Sequence, residues 1–288
     1  MQENPTLILV GGPTASGKSA FAMDLAKKCN GSIINADAMQ VYKGLPILTA
    51  QPPAADKAEI PHFLYETTDP AEAGSVGKWL AAAQSVIAEI HSQGRIPIIV
   101  GGTGMYFSAL LGGLANIPEI PQTVRTASEK LYEEIGEEKF RNELATHDAS
   151  AVARIARNDR QRLIRAHAVV THTGKPLSEW QKSGENSNVQ HYEKHLLLPP
   201  REQLYANCDN RFISMIENGA VEEVKTFTAR HLSPTLPAMK ILGLREIASY
   251  LRGEIKRDEA IEKAQQMTRN YAKRQTTWFR NQWKILKA

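Results

Sequence analysis

The sequence predicts an α/β protein: a P-loop NTPase-like parallel sheet flanked by helices, with a helical insertion and a helical C-terminal part. Three observations predict it. Short apolar runs alternate with helical stretches over the opening of the chain, as strands and crossover helices of a parallel sheet do. The first apolar run leads directly into a phosphate-loop signature. Beyond a proline-marked hinge, Ile117–Pro121, the β-rich runs give way to polar helical ones.

Taken in order, the candidate strands are Leu7–Val10, Ser32–Ala36 and Ile96–Val100, each bounded by turn residues. Val76–His91 has helical spacing and ends near Gly94, supplying one crossover. From the hinge to about Gly184 the pattern is helical, Gly184–Gln190 (GENSNVQ) reads as a loop, and His195–Leu198 ahead of two prolines reads as the strand that returns the chain to the sheet. Everything from Arg201 onward is helical in pattern. The expected organisation is therefore a core of residues 1–116 and 191–288, interrupted by an insertion at 117–190.

Composition supports a folded, unstapled protein. At 288 residues the chain exceeds a typical single domain, and 42% hydrophobic with 23% charged residues excludes the disordered class. Cys29 and Cys208 are far apart and form no CxxC pair, so neither a zinc module nor a disulfide framework is indicated, and a reducing cytoplasm fits. Met1–Thr6 is polar and Leu7–Val10 is too short for a signal or membrane span, so no membrane association is expected. The net charge of +4 is small, but every charged side chain from Lys263 to Ala288 is basic: Lys263, Arg269, Lys273, Arg274, Arg280, Lys284 and Lys287. Such a segment suits a polyanionic partner. With no long heptad stripe, a monomer is the default.

Gly11–Ser19 reads GGPTASGKS, so Gly12, Gly17, Lys18 and Ser19 satisfy GxxxxGK[ST] between a strand and a helix. In that setting Gly12, Pro13, Thr14, Ala15, Ser16, Gly17, Lys18 and Ser19 form a loop whose N–H groups converge on phosphate oxygens. The helix N-terminus adds positive potential, Lys18 adds a charge, and Ser19 offers a hydroxyl to Mg²⁺. The motif specifies a diphosphate or polyphosphate without saying whether it is split as ATP or used as a leaving group.

Ligands of a parallel sheet bind beyond the carboxyl ends of its strands. Asp37 follows one such end and Gly101–Gly104 (GGTG) another, so both face the crevice of the P-loop. Asp37 is placed to accept a proton or to meet Mg²⁺, and also has the chemistry of a simple turn or N-cap carboxylate. Thr103, flanked by glycines, is placed to approach a phosphate.

GPTASGKS, DAMQVYKGLPILTAQP from Asp37 to Pro52, GGTGMYFSALLGGL, NDRQRLIRA and TRNYAKRQTTWFR together resemble the bacterial tRNA dimethylallyltransferase (tRNA isopentenyltransferase) family, essentially end to end. The resemblance implies Mg²⁺-dependent transfer of dimethylallyl from dimethylallyl diphosphate to the exocyclic amine of the adenosine 3′ of the anticodon, without ATP hydrolysis. It implies Asp37 as general base, with Lys18, Thr103 and Arg211 holding the departing diphosphate. It also implies contacts to the tRNA anticodon stem-loop from Asp37, Ala38, Met39 and Gln40, from Gln161, Arg162, Leu163, Ile164 and Arg165, and from Thr103 and Arg125. Two positions depart from the family pattern: Ala38 stands where a Ser is usual, and Leu244 in ILGLRE where a Tyr is usual.

Met267–Gln282, if helical, places Ala264, Met267, Tyr271 and Trp278 on one face and Arg269, Lys273 and Arg280 nearly opposite. Arg154, Arg157, Arg160, Arg162 and Arg165 form a second basic cluster in the insertion. Two basic surfaces suit a folded RNA, although solvated helix charges have the same pattern. The eight histidines show no metal spacing, and Met39 and Met105 read as pocket wall or core. Two other readings share these features: a P-loop kinase with Asp37 activating a hydroxyl, and a non-catalytic RNA-binding protein. ATP turnover on a small hydroxyl substrate marks the first, and tRNA binding without product marks the second.

Overall fold

The computed structural model describes residues 7–182 and 191–283. The polar start Met1–Thr6, the expected loop Gly184–Gln190, Lys284 and Lys287 lie outside the described residues. The chain runs β1 (Ile8–Gly11), α1 (Lys18–Cys29), β2 (Gly31–Asn35), α2 (Ala54–Glu59), β3 (His62–Phe63), α3 (Val76–Ser92), β4 (Ile96–Gly101) and α4 (Gly104–Gly112). It continues through α5 (Gln122–Arg154), α6 (Arg160–Thr173), α7 (Leu177–Lys182), β5 (Glu193–Leu196), α8 (Arg201–Glu217) and α9 (Ala220–Thr228). A 3₁₀ turn at Pro237–Lys240, α10 (Leu244–Leu251) and α11 (Arg257–Gln282) follow.

The strands form one parallel sheet in the order β3-β2-β4-β1-β5. Because successive side chains leave opposite faces of a strand, the apolar runs divide between two cores. Leu7, Leu9, Ile34 and Ile99 pack with α3, α4 and the C-terminal helices, whereas Ile8, Val10, Ile33 and Ile98 pack on Ala22, Met23 and Ala26 of α1. Burial on both faces is why these strands read as continuous apolar runs. Among the described residues the polar β5 pairs with β1 alone, as an edge strand does, and it lies two residues earlier than its expected span. The two-residue β3 is too short to leave a periodic signal.

The chain divides into two compact units, residues 1–111 with 188–288 and residues 112–187. The second unit begins at Gly112, where α4 ends, ahead of the expected boundary at 117. Its main core is built from Phe140, Leu144, Leu163 and Ile164 on α5 and α6. Backbone at Gly136 and Asp148 leaves helical geometry inside α5. At the second break the buried Asp148 accepts the N–H groups of Ala151 and Ser178 at 2.9 Å each, tying α5 to the start of α7.

Candidate active site

Parallel pairing brings the carboxyl ends of β1, β2 and β4 to one edge, and with them the P-loop, Asp37 and the GGTG turn. The P-loop enters α1 through Gly17 at φ +86°, a left-handed conformation that favours glycine. The Lys18 ammonium donates to the Pro13 carbonyl at 3.2 Å. Burial pushes its pKa down to about 8, with Asp37 opposing the shift and Arg211 adding to it. Helix α8 braces the loop from outside: Arg211 Nη2 donates to Thr14 Oγ1, and Asn207 Nδ2 donates to the Ala15 carbonyl at 3.2 Å. Arg211 is thereby set beside the P-loop, where burial lowers its pKa. A cavity of ≈ 490 Å³ opens over the loop, lined in part by Lys18, Ser19, Asp37 and Arg211.

Asp37 stands on a polar floor that has no counterpart in the sequence pattern. The buried Asn35 accepts the Asp37 N–H at 2.8 Å and donates to the carbonyls of Asp37 at 3.1 Å and Leu64 at 3.0 Å. Trp79 Nε1 donates to the Asn35 carbonyl at 2.8 Å, and the indole stacks on Tyr106 with ring centroids 4.1 Å apart. Asp37 Oδ1 accepts the Met39 N–H at 2.9 Å. Among the described residues Oδ2 takes no hydrogen bond, and Asp37 lines the cavity.

Thr103 supports the Asp37 segment: its hydroxyl oxygen accepts the Ala38 N–H at 2.9 Å and its own N–H donates to the Ala36 carbonyl at 3.1 Å. It is not among the residues lining the cavity over the P-loop. Gln40 is similarly engaged, its Nε2 donating to the carbonyls of Thr49 at 2.8 Å and Ala50 at 2.9 Å. The Ala38 backbone is held by Thr103 without needing the missing hydroxyl.

A second, narrower slot of ≈ 60 Å³ shares Thr14, Asp37, Thr49 and Arg211 with the first cavity. Its remaining wall is mainly apolar, including Met39, Leu48, Phe212, Met215 and Ile241, with Tyr271 beside them. Burial, reinforced by the Asp37 charge, pushes the Tyr271 phenol well above its ordinary range, so it is a neutral phenol. The two spaces together suit an amphiphilic ligand: an anionic head on the P-loop, a short apolar tail in the slot, and a carboxylate at their junction.

The expected nucleic-acid positions separate into exposed and structural groups. On α6, Gln161, Arg162 and Arg165 are exposed, whereas Leu163 and Ile164 are buried in the unit's own core and hold the helix. The arginine cluster is partly neutralised by Arg160–Glu133 at 2.6 Å and Arg162–Asp159 at 3.1 Å. Arg125 keeps a buried Nε without a partner, and packing together with the neighbouring Arg125 charge lowers the Arg165 pKa. In α11 the buried face is Ala264, Thr268, Ala272, Gln275 and Phe279, which leaves Met267 at 44% exposure. Met105, expected as pocket wall or core, is 57% exposed. Arg269 is half-buried where Lys273 and Arg280 are exposed, and it pairs with Asp209 of α8 at 2.6 Å. No helix among the described residues is long and apolar enough to cross a membrane.

Of the two buried amides at the site, Asn35 lies outside the quoted motifs, and Gln275 lies inside TRNYAKRQTTWFR without a role that the motif itself reveals. The only available signal is a polar side chain inside an otherwise apolar strand end or helix face.

A family model described as IPP transferase matches residues 40–282. The tRNA dimethylallyltransferase of Caulobacter sp. (strain K31) is 52% identical over 277 residues, covering 96% of this chain and 90% of that protein. The tRNA dimethylallyltransferase of Phenylobacterium zucineum (strain HLK1) is 51% identical over 278 residues, with 96% and 90% covered. The crystal structure of the full-length tRNA isopentenylpyrophosphate transferase from Bacillus halodurans superposes with a TM-score of 0.67 at 33% identity, covering 96% of this chain and 88% of that one. A eukaryotic dimethylallyltransferase captured acting on tRNA superposes at 0.83 with 28% identity, covering 95% and 69%.

Proposed function

This chain belongs to the IPP transferase family, and from that premise we propose that it transfers a dimethylallyl group from dimethylallyl diphosphate to the exocyclic amine of the adenosine 3′ of the anticodon in tRNA, releasing diphosphate. The observation that carries the assignment to this site is Asp37 on the wall of both the P-loop cavity and the apolar slot. A base at that junction sits where the allylic carbon of a bound diphosphate ester would lie.

In this reading the P-loop N–H groups, Lys18 and Arg211 hold the diphosphate, and the five-carbon tail enters the slot beside Met39, Leu48 and Phe212. The adenine amine is a poor nucleophile because its lone pair is delocalised into the ring. As its nitrogen bonds to the allylic carbon and the carbon–oxygen bond to diphosphate breaks, Asp37 Oδ2 takes the amine proton. Lys18 and Arg211 compensate the charge that grows on the leaving oxygen. Thr103 acts one step back by fixing the Ala38 N–H, and so the direction of the Asp37 carboxylate.

The donor set fits Mg²⁺. The Ser19 hydroxyl is a hard oxygen donor on the wall of the cavity that would receive the phosphates, and this ion is commonly held by one or two protein oxygens plus phosphates. When bound there it supplies further neutralisation of the leaving diphosphate. On the RNA side, the target base has to leave its stack to reach the Asp37 junction. Lys273 and Arg280 on α11, and Gln161, Arg162 and Arg165 on α6, are the exposed groups available to the anticodon stem-loop.

The test is to incubate the pure protein with unmodified tRNA, Mg²⁺ and radiolabelled dimethylallyl diphosphate in the absence of ATP, then digest the RNA to nucleosides. Label in N6-dimethylallyl adenosine is the expected result. Absence of transfer together with ATP-dependent phosphorylation of a small molecule would overturn the reading in favour of a kinase.

A further inference from the structure

Group transfer between two bound substrates demands that the leaving group and the base be held at a fixed separation, because a displacement of about 1 Å away from the chemistry can cost on the order of 10²-fold in rate. In this protein the two sides belong to different strand ends. The P-loop follows β1, and Asp37 with its Thr103 support follows β2 and β4.

One buried side chain joins them. Gln275, on the inward face of α11 and only 6% exposed, accepts the Thr14 N–H at 2.8 Å through Oε1 and donates from Nε2 to the Gly102 carbonyl at 2.9 Å. Thr14 carries the hydroxyl that receives Arg211, and Gly102 precedes Thr103, which holds the Ala38 N–H. An unbroken series of hydrogen bonds thus runs from the diphosphate-side arginine through Thr14, Gln275 and the Gly102–Thr103 backbone to the residue next to Asp37. The fit is tight: a Cβ at Gly102 would stand 2.2 Å from Gln275 Nε2. An amide is suited to this place because it presents one acceptor and one donor to backbone groups of opposite polarity; a carboxylate or a hydrocarbon of the same shape satisfies at most one.

We infer that Gln275 is a positioning residue for the transfer step, a strut that sets the spacing between the P-loop and the Asp37 platform. The inference rests on the function proposed above. It predicts an effect on the chemical step that is separable from substrate binding.

The experiment compares wild type with Gln275→Met, which keeps the shape and loses both hydrogen bonds, Gln275→Glu, which keeps only the acceptor, and Gly102→Ala, which pushes the amide aside. For each, single-turnover transfer at saturating substrates is measured beside equilibrium affinities for dimethylallyl diphosphate and for tRNA. The expected result is a transfer rate lowered by about tenfold to a hundredfold in all three, with both affinities within about twofold of wild type. Unchanged transfer in Gln275→Met and Gln275→Glu would overturn the strut. So would rate and both affinities falling together with the melting temperature, which marks a merely structural amide. Failure of the wild type to transfer would overturn the functional reading itself and is told apart by that control.

Discussion

Asp37 is held by Asn35 from below, by the Met39 N–H at one carboxylate oxygen and by Thr103 through its neighbour, so its remaining oxygen has a fixed direction. Changing Asp37 to Ala removes the proton acceptor and the Met39 N–H partner, while Asn35 and Thr103 still hold the backbone on either side. Transfer is expected to fall by about 10²- to 10⁴-fold while tRNA affinity in a filter-binding assay stays nearly intact. Wild-type turnover in that variant would remove Asp37 from the chemistry. Lys18 gives a pH prediction. With its pKa lowered to about 8, the ligand-free protein carries this charge only below that pH. Affinity for dimethylallyl diphosphate should therefore weaken by about tenfold per pH unit above 8, and Lys18→Met should abolish that slope in calorimetric titrations. The same shift favours neutral lysine in the fold, so the ligand-free protein gains stability from this group as pH rises from about 8 toward the ordinary value of 10.5. Lys18, Ser19 and Asp37 are legible in the sequence because a phosphate loop and a strand end demand particular residue types at fixed spacing. Asn35 and Gln275 are not, because their partners are backbone atoms of distant segments, and backbone atoms leave no mark in a sequence.

At the scale of elements, α11 shows where periodicity misleads. Its helical character is legible, but Met267, Tyr271 and Trp278 mark one face in the sequence, whereas the buried face is Ala264, Thr268, Ala272, Gln275 and Phe279 and so carries mostly small or polar residues. Small residues permit close approach of helices and carry little weight in an apolar count. The rotation changes the expected behaviour of its basic residues. Lys273 and Arg280 together to Ala should reduce the salt dependence of tRNA binding, by about 0.7 to 0.9 in log–log slope for each phosphate that is no longer neutralised. Arg269→Ala should leave that slope unchanged and instead lower stability by about 1 kcal/mol, since it strands Asp209 in a half-buried pair. Salt titrations and thermal melts of the two variants separate these outcomes. An altered slope for Arg269→Ala would return that arginine to the RNA surface.

At the scale of the whole molecule, the division into two units suggests a division of labour. Arg162→Ala with Arg165→Ala, both exposed on α6, should weaken tRNA binding several-fold while leaving dimethylallyl diphosphate affinity as it is in wild type. Equal losses of both affinities would contradict it. The α/β class and three of the strands are readable because a doubly buried parallel sheet writes itself as uninterrupted apolar runs. The strand order is not, since it depends on pairings between segments far apart in the chain. Those distant pairings also bear on how the protein is made. The phosphate loop is translated before the strand that pairs with the outer side of β1, the arginine that meets Thr14 and the amide that meets its N–H, which come from β5, α8 and α11. Until α11 has been made, the nascent chain carries a phosphate loop that still awaits these groups, so the site completes itself well after its own loop is synthesised.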